Sequence, residues 1–151
     1  MHLPLIGRRS EPLTSPAPPE TATTARLTLL AVLRVREGAA LDQLGRAAGD
    51  QSLCALSRSG MAAPAAKYHE GSAAALAEAR RAVQRAGDSP DGAGALAEVI
   101  RDIRGRWLAQ VGSAGRTGPD WSGYLTGGLD ALEQIDQLLD DENGGVRDLP
   151  N

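Results

Sequence analysis

The chain predicts a mainly α fold, a compact helical domain of about five or six helices. Three observations carry that expectation. Apolar residues recur at three- and four-residue steps through two long segments in the second half. Phe is absent and only two Trp and two Tyr occur, so the core must be built from Leu, Ala, Val and Ile, side chains that suit packed helices. Gly and Pro fall in clusters that divide the chain into helix-length pieces. At 151 residues there is room for one ordinary domain, which can bury about two thirds of its unfolded surface without disulfides or metals.

Residues 1–24 are expected to form an N-terminal arm and proline-rich linker, because EPLTSPAPPETATT at 11–24 has four prolines and little that can pack. The helical domain is placed at 25–140 and a polar tail at 141–151. ARLTLLAVLRVREG, 25–38, is apolar on more than one face and follows Thr23 and Thr24 as N-cap candidates, which predicts a central helix stopped at Gly38. LDQLGRAAG, 41–49, predicts a short second helix through Leu41, Leu44, Ala47 and Ala48. DQSLCALSRSG, 50–60, can form a third, and Pro64 makes GMAAPAA a loop or brief extended segment.

The fourth helix, within 67–86, places Ser72, Leu76, Ala79, Val83 and Ala86 on one face. Its many Ala residues would let a neighbouring helix approach closely. ALAEVIRDIRGRWLAQV, 95–111, carries the stripe Leu96, Val99, Ile100, Ile103, Trp107 and Val111, with Asp102 and Arg106 spaced to pair on the other side. After the loop GSAGRTGPDW, Leu125, Leu129, Leu132, Ile135 and Leu139 form a second stripe. KYHEGSAAALAEARRAV at 67–83 is faintly echoed by GYLTGGLDALEQIDQLL at 123–139: Tyr68/Tyr124, Gly71/Gly127, Ala75/Ala131 and Leu76/Leu132 match at one fixed offset. In a chain with eighteen Gly this points to a shared helix-entry packing pattern and not to a repeat architecture.

Charge is uneven. Residues 1–87 hold eleven basic and seven acidic side chains, whereas 88–151 hold five and twelve. A basic front half could meet an acidic partner, including nucleic acid; solvated helix faces of differing sign are the preferred explanation. The single Cys54 excludes an internal disulfide framework and fits a small buried apolar residue. LTLLAVL, 27–33, is far too short to span a bilayer, and MHLPLIGRRSEPL lacks the order of a secretory signal, so no membrane association and a cytoplasmic location are expected.

Catalytic sets are missing from the sequence. His69-Glu70 begins like a zinc-protease HExxH, but Ala73 stands where the second His belongs. GAGALA at 92–97 matches a relaxed dinucleotide fingerprint without the strand that must precede it. DDENGG at 140–145 resembles a calcium loop whose twelfth position is Asn151 in place of a bidentate Glu. No catalytic residue, cofactor or metal site is therefore expected, and His69 is expected to be a surface residue near a helix start.

RLTLLAVLRVREGAALDQLGRAAG, LCALSRSGM and KYHEGSAAALAEARRAV, taken in order, resemble a winged helix-turn-helix of the PadR type, over residues 26–83. The resemblance would put Leu53, Leu56, Gly60 and Met61 at the end of a recognition helix, and Tyr68, Gly71, Ala75 and Leu76 at the exit from a wing. It implies DNA binding, with Arg46, Arg58 and Lys67 as the nearest phosphate contacts, and dimerisation through C-terminal helices. Here eleven residues lie between Gly49 and Met61, and GMAAPAA carries no Arg or Lys.

The functional expectation is a non-catalytic helical protein that works by contact, as a homodimer or an accessory subunit of a larger assembly; the alternative is a winged-helix DNA-binding transcription regulator. Arg116, Trp121 and Tyr124, in GRTGPDWSGY, are the candidate partner contacts, since such residues dominate interface energetics. Packing of Trp121 and Tyr124 against the domain's own core is the competing explanation.

Overall fold

A computed structural model describes residues 19–49, 51–52, 55, 58–59, 62–87, 92–113, 115 and 117–144. Among these residues the fold is entirely helical: α1 (Pro19–Ala48), α2 (Pro64–Ala86), α3 (Gly92–Leu108) and α4 (Pro119–Gly144). The expected N-terminal arm up to residue 18, Cys54, Leu53, Leu56, Gly60, Met61, Arg116 and the tail beyond residue 144 lie outside the described residues.

Among the described residues four long helices stand in place of the expected five or six; the helix expected at 50–60 falls largely outside the described residues, of which Ala55, Arg58 and Ser59 are helical. The separate helices expected at 25–38 and 41–49 are one continuous α1, because Gly38 does not stop it. Leu33, Ala40 and Leu44 stay on the same inward side across that glycine, and the tertiary burial outweighs the roughly 1 kcal/mol that a mid-helix Gly costs. The same helix starts at Pro19, inside the stretch expected to be linker. Thr24 is not an N-cap; its hydroxyl donates to the Glu20 carbonyl oxygen at 2.9 Å within the first turns. Pro64 opens α2 instead of interrupting a loop, as the first helical turn needs no N–H from that residue. Helices α1 and α2 are followed by Gly49 and Gly87, both at positive φ.

Ion pairs link the helices. Arg80 on α2 grips Glu37 on α1 at 2.7 Å, Arg106 on α3 reaches Glu78 on α2, and Arg101 and Arg104 on α3 reach Asp136, Asp140 and Glu133 on α4. Between α3 and α4 residue numbers rise on one helix as they fall on the other, so these two run antiparallel. The core lies between the helices, with Leu33, Ile100, Ile103, Leu132 and Ile135 almost wholly excluded from solvent. The predicted stripes of α3 and α4 supply most of it. Val111 is exposed because α3 ends at Leu108, and Arg106 turns to Glu78 in place of the expected Asp102.

The most extensive helix contact joins the two parallel helices α2 and α4. A side chain on Gly71 would collide with the backbone of Tyr124, and one on Gly127 would collide with the backbone of Tyr68. The two Tyr-x-x-Gly segments are thus packed on each other, each glycine lying under the tyrosine carbonyl of the other copy. The Ser72 hydroxyl lies 3.0 Å from both the Tyr68 and the Gly127 carbonyl oxygens and closes the crossing. The Ala63 N–H donates to the Asp120 carboxylate at 2.7 Å, which ties the starts of the two helices together. A further glycine, Gly123, passes the Pro64 carbonyl oxygen so closely that a Cβ would sit 2.8 Å from it.

Candidate functional site

Three surfaces hold what chemistry the described residues offer. The first is a cleft of about 230 Å³ between α1, α2 and α4, with His69, Tyr68, Ser72, Arg36 and Gln134 around apolar Leu76 and Ala40. His69 stands here, edge-on to the Tyr68 ring at 5.3 Å. The polar groups around it are already engaged: Tyr68 donates its hydroxyl to Asp130 at 3.0 Å, Arg36 donates to Gln134 at 2.7 Å, and the Ser72 hydroxyl is spent on backbone carbonyls. Burial, followed by the bond to Asp130 and its negative charge, pushes the Tyr68 phenol above its ordinary pKa. A phenol held protonated in this way is a poor general base, and a hydroxyl directed at carbonyl oxygens is a poor nucleophile. Among the described residues no three His, Cys, Asp or Glu side chains cluster as a metal site.

The second surface is aromatic. Trp107 stacks on Tyr124 at 5.3 Å and Tyr124 stacks on Trp121 at 5.4 Å, nearly parallel in both cases. The base of this stack is fixed from both sides. Gly128 leaves room for the Trp107 ring, and the indole N–H of Trp107 donates to Glu78 at 2.9 Å while Arg106 donates to the other carboxylate oxygen. Burial alone would raise the pKa of Glu78; the hydrogen bonds from Trp107 and Arg106, with the charges of Arg106 and Arg81, outweigh it and lower the value. Trp121 and Tyr124 are half-buried. They line a cleft of about 440 Å³ with Lys67, Glu70, Gln110 and Asp120. The packing of the helix entry and the expected partner contact would therefore draw on the same two side chains. Lys67 joins them and is paired with Glu70 at 2.8 Å, while Arg46 and Arg58 are exposed.

The third surface was not anticipated. Helix α1 buries Leu29, Leu30, Leu33, Ala40 and Leu44, yet its outer side exposes Leu27 at 55%, Val35 at 73% and Leu41 at 51%. Ala31, Gly38 and Gly45 fill the spaces between them, all exposed, and no neighbouring atom lies near where a Cβ on either glycine would sit. The signal was present in ARLTLLAVLRVREG, apolar on more than one face, but such a segment also suits a helix enclosed on all sides.

No helix among the described residues is long and apolar enough to cross a membrane. No protein-family model, curated protein or solved structure matches the chain.

Proposed function

We propose that this is a non-catalytic helical interaction protein of the cytoplasm, acting as a homodimer or as an accessory subunit of a larger assembly. The observation that carries the reading is the outer side of α1, where the large aliphatic side chains of Leu27, Val35 and Leu41 stand exposed. Single exposed apolar residues are ordinary, but three large ones on the side of one helix turned away from its own core point to a contact surface. Burying Leu27, Val35 and Leu41 would contribute roughly 1.5–3 kcal/mol for each side chain fully covered. The half-buried pair Trp121 and Tyr124, held rigidly by the Trp107 stack, offers a second contact with little conformational entropy left to lose. Native mass spectrometry of the protein isolated from its own host tests the reading: species heavier than the 15.7 kDa chain are expected, and a population of free monomer alone contradicts it.

The alternative, a winged-helix DNA-binding regulator, draws support from the exposure of Arg46 and Arg58. It requires duplex binding that weakens steeply with salt, with a log–log slope of about −0.9 per phosphate neutralised. Replacing both arginines by Ala would then flatten the slope, and the absence of binding at low salt would remove this reading.

A further inference from the structure

We propose that the outer face of α1 is covered by a second copy of this chain, the two α1 helices crossing antiparallel about a two-fold axis at Gly38. The inference rests on the contact reading above and names its partner. The basis is self-complementarity. In an antiparallel pair centred on residue 38, each residue faces the one equally far beyond the centre in the other copy. Between residues 31 and 45 the outward-facing positions are then paired in size and charge, whereas Leu27 lies beyond the overlap, its counterpart being Gly49 past the end of α1. Ala31 meets Gly45 and Arg34 meets Asp42 across the seam, while Val35 and Leu41, six residues apart on a helix of 3.6 residues per turn, flank it on opposite sides; each of these residues is exposed.

The charges make the match specific. Among the described residues neither Arg34 nor Asp42 has a hydrogen-bond or ion-pair partner within its own chain. They flank the same glycine at equal distances, so a two-fold axis there forms two identical ion pairs. A parallel pairing in register would instead set Arg34 against Arg34 and Asp42 against Asp42. At the centre Gly38 presents no side chain and has open space outside it, which permits the backbones to approach closely. An isologous interface requires one patch to complement itself, and this face does so through its size pattern and its charge pattern together. A 30-residue helix spans about 45 Å, and a two-fold at residue 38 overlaps residues 28–48 of it with the second copy.

Sedimentation equilibrium of the purified full-length chain, with charge-swap variants, is the test. A reversible dimer is expected. Arg34→Asp should weaken dimerisation at least tenfold, Asp42→Arg should do the same, and the double variant Arg34→Asp/Asp42→Arg should recover most of the loss, because each swapped charge again faces its opposite. Far-UV circular dichroism should stay unchanged throughout, since both side chains are exposed. Independently, with Cys54 replaced by Ser, Gly38→Cys should form an intermolecular disulfide on mild oxidation and Leu27→Cys should not, because only the central position faces its own copy at bridging distance.

A dimer that tolerates both single swaps, or one cross-linked through Leu27→Cys and not Gly38→Cys, overturns the arrangement. So does a dimer that appears only after residues 1–18 are removed, since the face would then belong to the chain's own N-terminal segment. A chain that is monomeric alone but loses a heavier host assembly on Val35→Glu would refute the second copy and leave the contact reading standing. A host assembly indifferent to every α1 variant would refute both.

Discussion

Alanine at position 127 supplies a methyl group and improves helix propensity by about 1 kcal/mol, so on local grounds alone Gly127→Ala should stabilise α4. The structure predicts the opposite. The added Cβ would lie against the Tyr68 carbonyl, with the Ser72 hydroxyl oxygen 3.0 Å away. The first obstacle is helix backbone and cannot rotate aside, so α2 and α4 must separate. Overpacking of this kind costs about 1–3 kcal/mol and more when backbone has to move; separation also strains the Ser72 bond to the Gly127 carbonyl, worth about 1 kcal/mol. The net expectation is a loss of roughly 2 kcal/mol, a fall in Tm of roughly 4–8 °C for a chain of this size. Gly71→Ala should behave alike, because it meets Tyr124 in the reciprocal way. Gly105→Ala is the control: this exposed helical glycine has nothing within 4 Å of the new atom, and the variant should gain about 0.5–1 kcal/mol. Urea and thermal unfolding followed by circular dichroism measure all three. Stabilisation by Gly127→Ala comparable to that by Gly105→Ala would refute the close crossing.

Leu132 is fully buried between α4 and its neighbours, so Leu132→Asp should cost about 4–5 kcal/mol by stranding a charge in the core; global loss of helicity is expected, and a stable folded monomer would show that α4 is chiefly an intermolecular surface. Glu78 has its pKa lowered in the fold, so its contribution is present above the ordinary carboxylate range and is lost as pH falls through the folded value. Glu78→Gln should therefore be less stable than the parent near neutral pH and lose part of the decline in stability below pH about 4; parallel pH profiles for the two proteins would show that the bonds from Trp107 and Arg106 do not favour the charged form.

The stripes of α3 and α4 were legible because strong periodicity and burial agree: Leu96, Ile100, Ile103 and Trp107, then Leu125, Leu132, Ile135 and Leu139, all face the core. The recurrence of Tyr-x-x-Gly was also visible, and the sequence correctly suggested a common packing problem. What it could not show is that each copy is the solution to the other, since nothing local pairs residue 71 with 124. Glycine and proline misled in the opposite direction. Gly38 and Pro64 look like breaks, but one lies within a helix held by packing on both sides of it and the other occupies the first helical turn. Arg106 illustrates the same competition at a charged residue. A partner four residues away is worth about 0.3–0.5 kcal/mol on an exposed helix, and the carboxylate of Glu78 on another helix, already bonded to the Trp107 indole, wins. The outer face of α1 was hidden for a simpler reason, as composition cannot distinguish a helix enclosed by its own chain from one completed by a partner.

The contact role of α1 is tested most directly by one side chain. Val35 is the most exposed of the large apolar residues on α1, so Val35→Glu should change the stability of the isolated bundle by no more than about 0.5 kcal/mol while placing charge in the middle of the proposed interface. The measurement is the mass of the assembly, by native mass spectrometry on protein isolated from its host, for the parent and for Val35→Glu, with far-UV circular dichroism on the same samples. A parent found in a dimer or larger complex and a fully helical Val35→Glu monomer is the result expected; a Val35→Glu protein that keeps the assembly of the parent would contradict it.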